Sequence, residues 1–250
     1  WHFGKREGGK MNLKDNSYKL AFAMCLFCFS AACGVVDLEK VRSMPVRTGS
    51  EPGSPSPEKV TPGSDPVEAM SAAYRKLFTA RSVRSRSVST LPNGATLTTT
   101  TEFVAPDRTR TVIENSLGDR SESIAIGSRE FTRKDGKWEL SPLDIKVGFE
   151  GLHGTDAEFD ELMKKAPAPA GNTKLVGPAN VNGVQVLVYE TTITAPTEKH
   201  TIKVSSRVSI GIRDGRLYRL ETESTGGIFN TKSLTDFSDY DTDIRIVSPV

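Results

Sequence analysis

The chain has 250 residues, of which 36% are apolar and 26% charged, and its formal net charge is +2. That much apolar material can bury one sizeable core or two small ones. Basic residues alternate with acidic ones instead of gathering on one element, which excludes a protein held to nucleic acid by its charge.

The first methionine is Met11, and Glu7-Gly8-Gly9-Lys10 can be encoded by a purine-rich ribosome-binding sequence. Residues 1–10 are therefore expected to be a non-native upstream extension. From Met11 the pattern is that of a secretory signal, residues 11–32, with Lys14 and Lys19 ahead of an apolar run from Leu20 to Ala32. That run is short for a membrane-spanning helix and suits a signal peptide. It ends in Ser30-Ala31-Ala32-Cys33-Gly34, which resembles a lipobox, the site where a signal peptidase cuts before an acylated cysteine. Ala31, Ala32 and Cys33 fit that pattern, and Ser30 departs from it, because an aliphatic residue is usual there. The alternative is ordinary cleavage that leaves a free thiol. Of the three cysteines, Cys25 and Cys28 would leave with the signal. One cysteine then remains and no disulfide can form within the chain, so lipidation of Cys33 gives it a purpose.

Residues 33–65 read as a tether, rich in Pro, Gly and Ser between Met44 and Pro66, with too little apolar surface to offset the entropy of ordering. Extended at roughly 3 Å per residue, it could hold a domain several tens of Å from a membrane.

Residues 66–250 are expected to fold. Asp65 can cap a helix, Pro66 suits its first position and Glu68 completes a capping box. Met70, Ala73, Tyr74, Leu77 and Phe78 then recur on one helical face. Ten strands are expected, at 83–90, 95–104, 110–115, 121–133, 137–140, 174–179, 184–194, 201–212, 216–224 and 230–237. Asn93-Gly94, Asp135-Gly136, Asn182-Gly183 and Asp214-Gly215 read as two-residue hairpin turns between them and imply a meander. Val184 to Tyr189 is apolar on both faces, so its strand is expected to be central and covered twice. A second helix is expected from Thr155, capped by Glu158, with Phe159, Leu162, Met163 and Ala166 as its stripe and Pro167 as its stop.

Arg81, Arg84 and Arg86 form the densest basic cluster, which fits either an anionic head group or, better, a solvated strand face. Asp239, Asp241 and Asp243 alternate as in the first half of a calcium loop, but the glycine and final glutamate of such a loop are missing. A solvated acidic strand edge is the better reading, and no metal or other cofactor is expected. Catalysis is not expected either. His2, His153 and His200 are the only histidines, and no nucleophile elbow, His-Glu-x-x-His pair or phosphate loop occurs. A carboxylate-dependent hydrolase is the least favoured alternative.

The order of features is lipobox, Pro-rich tether, amphipathic helix, then Glu102-Phe103-Val104-Ala105-Pro106-Asp107-Arg108, Ile126-Gly127 and Asp135-Gly136-Lys137-Trp138. A mid-chain helix follows, and finally Asp239-Tyr240-Asp241-Thr242-Asp243-Ile244-Arg245-Ile246. This order resembles the LolA-like superfamily, and within it the LppX/LprG-like bacterial lipoproteins. The resemblance implies an α+β fold, a curved, half-open antiparallel β-barrel of about ten strands whose concave face is covered by amphipathic helices. It also implies an apolar cavity for lipid or acyl chains, non-enzymatic function and a place in the cell envelope. A lipid anchor at Cys33 implies a periplasm- or surface-facing protein held to a membrane, and Gly34 after it points to the outer membrane if the host has two. No ligand contact transfers residue by residue. Apolar periodicity alone singles out Tyr74, Leu77, Phe78, Phe103, Phe159 and Met163 as the lining. The alternative is an envelope sensor or protein-interaction module, with an envelope protein as partner and a core filled by its own side chains.

Overall fold

A computed structural model describes residues 65–141, 153–165, 171–196, 201–226 and 230–249. The expected upstream extension, signal segment, Cys33 and tether lie outside these residues, as do His200 and the expected helix end at Ala166 and Pro167.

Helix α1 spans Pro66–Phe78 and starts where its cap dictates: the Asp65 carboxylate accepts a hydrogen bond from Val67 N at 2.8 Å, and Pro66 occupies the first turn. Its apolar face is the expected one, with Met70, Ala73, Leu77 and Phe78 buried. Helix α2 spans Asp156–Lys165. The capping box at its start is formed, Glu158 Oε2 accepting from Thr155 N at 2.8 Å while Glu158 N donates to Thr155 Oγ1 at 3.3 Å.

Eleven strands make one antiparallel sheet: β1 Ser82–Thr90, β2 Thr96–Val104, β3 Arg108–Asn115, β4 Arg120–Ile126, β5 Arg129–Lys134, β6 Lys137–Leu140, β7 Gly171–Val181, β8 Val184–Pro196, β9 Thr201–Gly211, β10 Leu217–Thr225 and β11 Thr231–Ser238. The single strand expected at 121–133 is in fact β4 and β5. Gly127, at φ +59°, turns the chain between them, a conformation that glycine adopts without strain. Of the four expected hairpin turns, Asp135-Gly136 and Asn182-Gly183 have both central residues at positive φ. At the other two only Gly94 and Gly215 do, and the loops there are longer.

The strand order is β6-β5-β4-β3-β2-β1-β11-β10-β9-β8-β7, so two meanders join through the β1–β11 pair, and β6 and β7 are unpaired edges. The barrel is therefore open. It is also curved, for α1 is about 20 Å long. The strands it covers, β7 to β2, would spread over about 29 Å if flat. Yet Val83, Phe103, Leu187, Leu220 and Phe237 share one apolar cluster with Ala73 and Leu77 of the helix. β8 lies next to the edge strand β7 and is not central, although the expected double cover holds at Val186 and Leu187, which point to opposite faces and are both buried.

Beyond β11, Tyr240 joins the apolar cluster and donates its hydroxyl to Leu217 O at 2.6 Å, and the segment then reaches β3, where Arg108 Nη1 donates to Ile246 O at 3.1 Å. β11 stops at Ser238, so the three aspartates do not form a strand edge. Asp239 and Asp241 sit in a turn at positive φ. Asp239 takes the Arg84 guanidinium, and Asp241 accepts from Arg81 N at 2.8 Å and Arg216 Nη2 at 2.6 Å. Their alternation serves arginine pairing.

Candidate functional site

Strand register assigns every side chain to a face, because residues directly opposite one another point the same way. Val83 faces Phe103, and Val83 belongs to the cluster under α1, so the odd-numbered residues of β1 and β2 line the concave side. Carried across the sheet, the same registers place Arg84, Glu102, Arg110, Asp236, Arg207 and Glu190 on the convex side.

The convex face is a belt of ion pairs. Arg84 meets Glu102 at 2.8 Å, Glu102 meets Arg110 at 3.4 Å, Arg110 meets Glu122 at 2.7 Å and Glu122 meets Arg133 at 3.3 Å. Arg219–Asp236 at 2.6 Å and Arg207–Glu190 at 2.9 Å continue it on β8 to β11. Glu122 is the buried member. Burial pushes its carboxyl up, and the hydrogen bonds and charges of Arg110 and Arg133 outweigh that and hold it below the usual carboxylate value. Of the basic cluster weighed from sequence, Arg84 is spent on these pairs and Arg81 is exposed beside Asp241.

On the concave side, the described residues of β1 to β4 and β7 to β11 include no charged side chain; charge returns only at the β5–β6 edge, with Glu130, Lys134, Lys137 and Glu139. Next to the helix this side is apolar, with Val83, Phe103, Phe237, Leu220, Val208 and Tyr189. One step further along their strands lie buried hydroxyls, Ser85 and Thr101 beyond Val83 and Phe103, and Thr191, Ser206 and Thr222 beyond Tyr189, Val208 and Leu220, while the buried Thr109 stands opposite Phe103 itself.

At the C-terminal end of α1, an aromatic group joins helices to sheet. The His153 and Phe103 rings stack with centroids 3.5 Å apart and planes at 14°, and Phe78 lies 6.5 Å from the same imidazole. Phe159 of α2 meets Phe78 at 5.6 Å, and the Arg75 guanidinium lies 4.7 Å over the Phe159 ring while pairing with Asp156 and Asp160. Gly154 N donates to Phe78 O at 3.0 Å. A Cβ on Gly154 would stand 2.6 Å from the Glu158 carboxylate and 2.7 Å from the Phe78 ring, so only glycine lets the chain pass. Burial, slightly offset by the charge of Asp241, lowers the His153 pKa to about 4, and its Nε2 is buried with no hydrogen-bond partner among the described residues. The imidazole is therefore neutral at pH 7.

The structure brings together five of the six residues singled out by apolar periodicity. Leu77 and Phe103 lie in the cluster with Tyr74 packed against it, and Phe78 and Phe159 extend it to α2. Met163 is not among them: it is 44% exposed, and Leu162 beside it is 39% exposed, so Phe159 alone anchors the stripe of α2. Sequence reasoning weighed His153 only as a catalytic candidate and read the serines and threonines only as strand formers. The signal for the second was present in Arg84-Ser85-Arg86-Ser87, where charge and hydroxyl alternate with the period of a strand. No group of three or more His, Cys, Asp or Glu among the described residues could hold a metal ion, and no described helix is long and apolar enough to cross a membrane.

No family model matches the chain, and no curated protein does. The fold is similar to that of mycobacterial lipoproteins. The crystal structure of lipoprotein LppX from Mycobacterium tuberculosis aligns with a TM-score of 0.49 and 14% identity over 74% of this chain and all of that one. LprF from Mycobacterium bovis aligns with 0.49 and 12% over 76% of this chain and 99% of its own. The Pseudomonas aeruginosa MucA/MucB complex gives 0.38 and 14% over 74% and 59%.

Proposed function

We propose that this protein is a lipoprotein of the bacterial cell envelope, anchored through Cys33, that binds or hands on lipid or acyl chains within the concave face of its open sheet, without catalysis. One observation carries the reading: the sheet keeps its charge on the convex side and none on the concave side between β4 and β7. Burying an unpaired charge is costly, so a face that hosts acyl chains must be clear of charge across its width, as this one is across nine strands. Acylation would supply the membrane hold, the two or more chains of a processed lipoprotein giving stable attachment where one would not. The residues after the anchor favour the outer membrane in a two-membrane host.

Native mass spectrometry of the full chain purified from its host tests the reading. A co-purifying lipid is expected, and its loss in folded Leu77→Glu and Phe159→Glu variants. Unchanged lipid in both would end the cavity assignment. For the anchor, Cys33→Ser is expected to move the protein from the membrane to the soluble fraction and to abolish labelling by palmitate; a membrane-bound, labelled variant would refute it.

A further inference from the structure

We propose that residues 239–246 form a clasp, centred on Asp241, that stands in for a missing hairpin and makes the β1–β11 seam a one-ended zip, fastened at its Ser82 end and able to part from its Thr90 end. The device belongs to the sheet itself and stands whatever the hollow holds. Its basis is topology. Every other pair of neighbouring strands is consecutive in the chain and held together by a short connection. β1 is the first strand and β11 the last, so their pairing alone has no local loop behind it and carries the larger closure entropy. The seam is also thin in apolar contact. On the concave side it sets Ser85, Ser87 and Ser89 against Phe237, Thr235 and Ser233, and on the convex side Val88–Leu234 is its one apolar pair. β8 and β9, by contrast, set Leu187, Tyr189 and Ile193 against Ile210, Val208 and Val204. Parting β1 from β11 therefore exposes less apolar surface than parting β8 from β9.

The tail that leaves β11 fastens one end of this seam. Asp241 N donates to Ser82 O at 2.9 Å, and Ser82 Oγ donates to Thr242 O at 2.6 Å. The Asp241 carboxylate reaches both half-sheets, accepting from Arg81 N beside β1 at 2.8 Å and from Arg216 Nη2 beside β10 at 2.6 Å. Tyr240 adds its hydroxyl bond to Leu217 O on β10, and Arg84 of β1 pairs with Asp239. The apolar cluster under α1 bridges the seam near the same end, through Val83 and Phe237. At the other end the seam finishes at Thr90–Lys232, with no such tie among the described residues. A pairing fastened at one end and poor in buried apolar contact opens from the other.

Hydrogen exchange of the full chain, read by mass spectrometry, tests the device. In wild type, protection along β1 and β11 is expected to fall from the Arg84–Ser238 end toward the Thr90–Lys232 end; a level or reversed gradient would overturn the proposal. Asp241 sits at φ +57°, which glycine adopts without strain, so Asp241→Gly removes the carboxylate and leaves the turn. Exchange over 84–90 and 232–238 is expected to quicken on the order of tenfold in that variant, and to stay unchanged over 186–193 and 204–210. Unchanged exchange along the seam, or equal quickening in β8 and β9, would overturn the clasp. Arg216→Gln, which cuts only the tie to β10, is expected to give the same pattern more weakly, and no change there would count against it equally.

Discussion

His153 makes the stability of this protein depend on pH in a window where its carboxylates do not. Packed flat on Phe103 with Nε2 buried and unpaired, it holds a pKa of about 4 in the folded chain against 6.5 when free. Between those values the unfolded chain binds a proton that the folded chain refuses, so stability rises with pH. The full contribution is present above about pH 6.5, is lost as pH falls, and is gone near pH 4. Between pH 7.5 and pH 5 the loss amounts to about 2 kcal/mol. With a urea dependence of about 2 kcal/mol per molar, the unfolding midpoint should drop by about 1 M over that interval. Ordinary carboxylates stay ionised down to pH 5 and add little. His153→Phe keeps the stack and removes the titration, so its midpoint should stay level between pH 7.5 and pH 5. An equal drop in the variant would show that the imidazole is not the group responsible.

Leu77 is 1% exposed at the centre of the cluster, and Leu77→Ala should cost about 2–5 kcal/mol. Differential scanning calorimetry should show the melting temperature falling by about 2–4 °C for each kcal/mol. Gly154→Ala should destabilise by about 1–3 kcal/mol, because the added methyl meets the Phe78 ring. A rise in urea midpoint would refute that steric account. Arg75→Met should release α2 without unfolding the sheet, since it removes both ion pairs and the contact with Phe159. Hydrogen exchange should quicken over residues 153–164 and stay unchanged over 97–103; uniform quickening would show instead that Arg75 supports the whole fold.

The local parts of this fold were legible because local chemistry sets them. Asp65 and Thr155 cap their helices as their neighbours dictate, and Asp135-Gly136 and Asn182-Gly183 turn as expected. The Gly127 turn was missed because Gly127-Ser128 sits inside one unbroken β-favouring run, where period alone does not reveal a reversal. The β1–β11 pairing that joins the two meanders, Arg84 opposite Ser238, had no local signal. The site was half legible. Apolar spacing found Leu77, Phe78, Phe103 and Phe159, since burial has a helical or strand period. Met163 stays 44% exposed, because a helix held by one ring need not bury its whole stripe. The buried hydroxyls were hidden because serine and threonine occur on either face of a strand, and only register showed which.

The two helices covering the concave face are not equivalent, and the difference identifies the part able to move. α1 contributes four side chains to the principal apolar cluster, among them Ala73 at 0% and Leu77 at 1% exposure, so lifting it would expose the centre of the fold. α2 buries Phe159 alone and is held by Arg75, whose carboxylate partners Asp156 and Asp160 are exposed. Exposed pairs of that kind contribute little, and local opening follows the element with the fewest buried contacts. Leu162 and Met163 of α2 are already 39% and 44% exposed, so they have less burial to lose than the cluster residues of α1. Local opening is thus cheapest at α2 and the His153–Phe103 stack, with α1 staying in place. The imidazole whose lowered pKa ties stability to pH stands in that same stack.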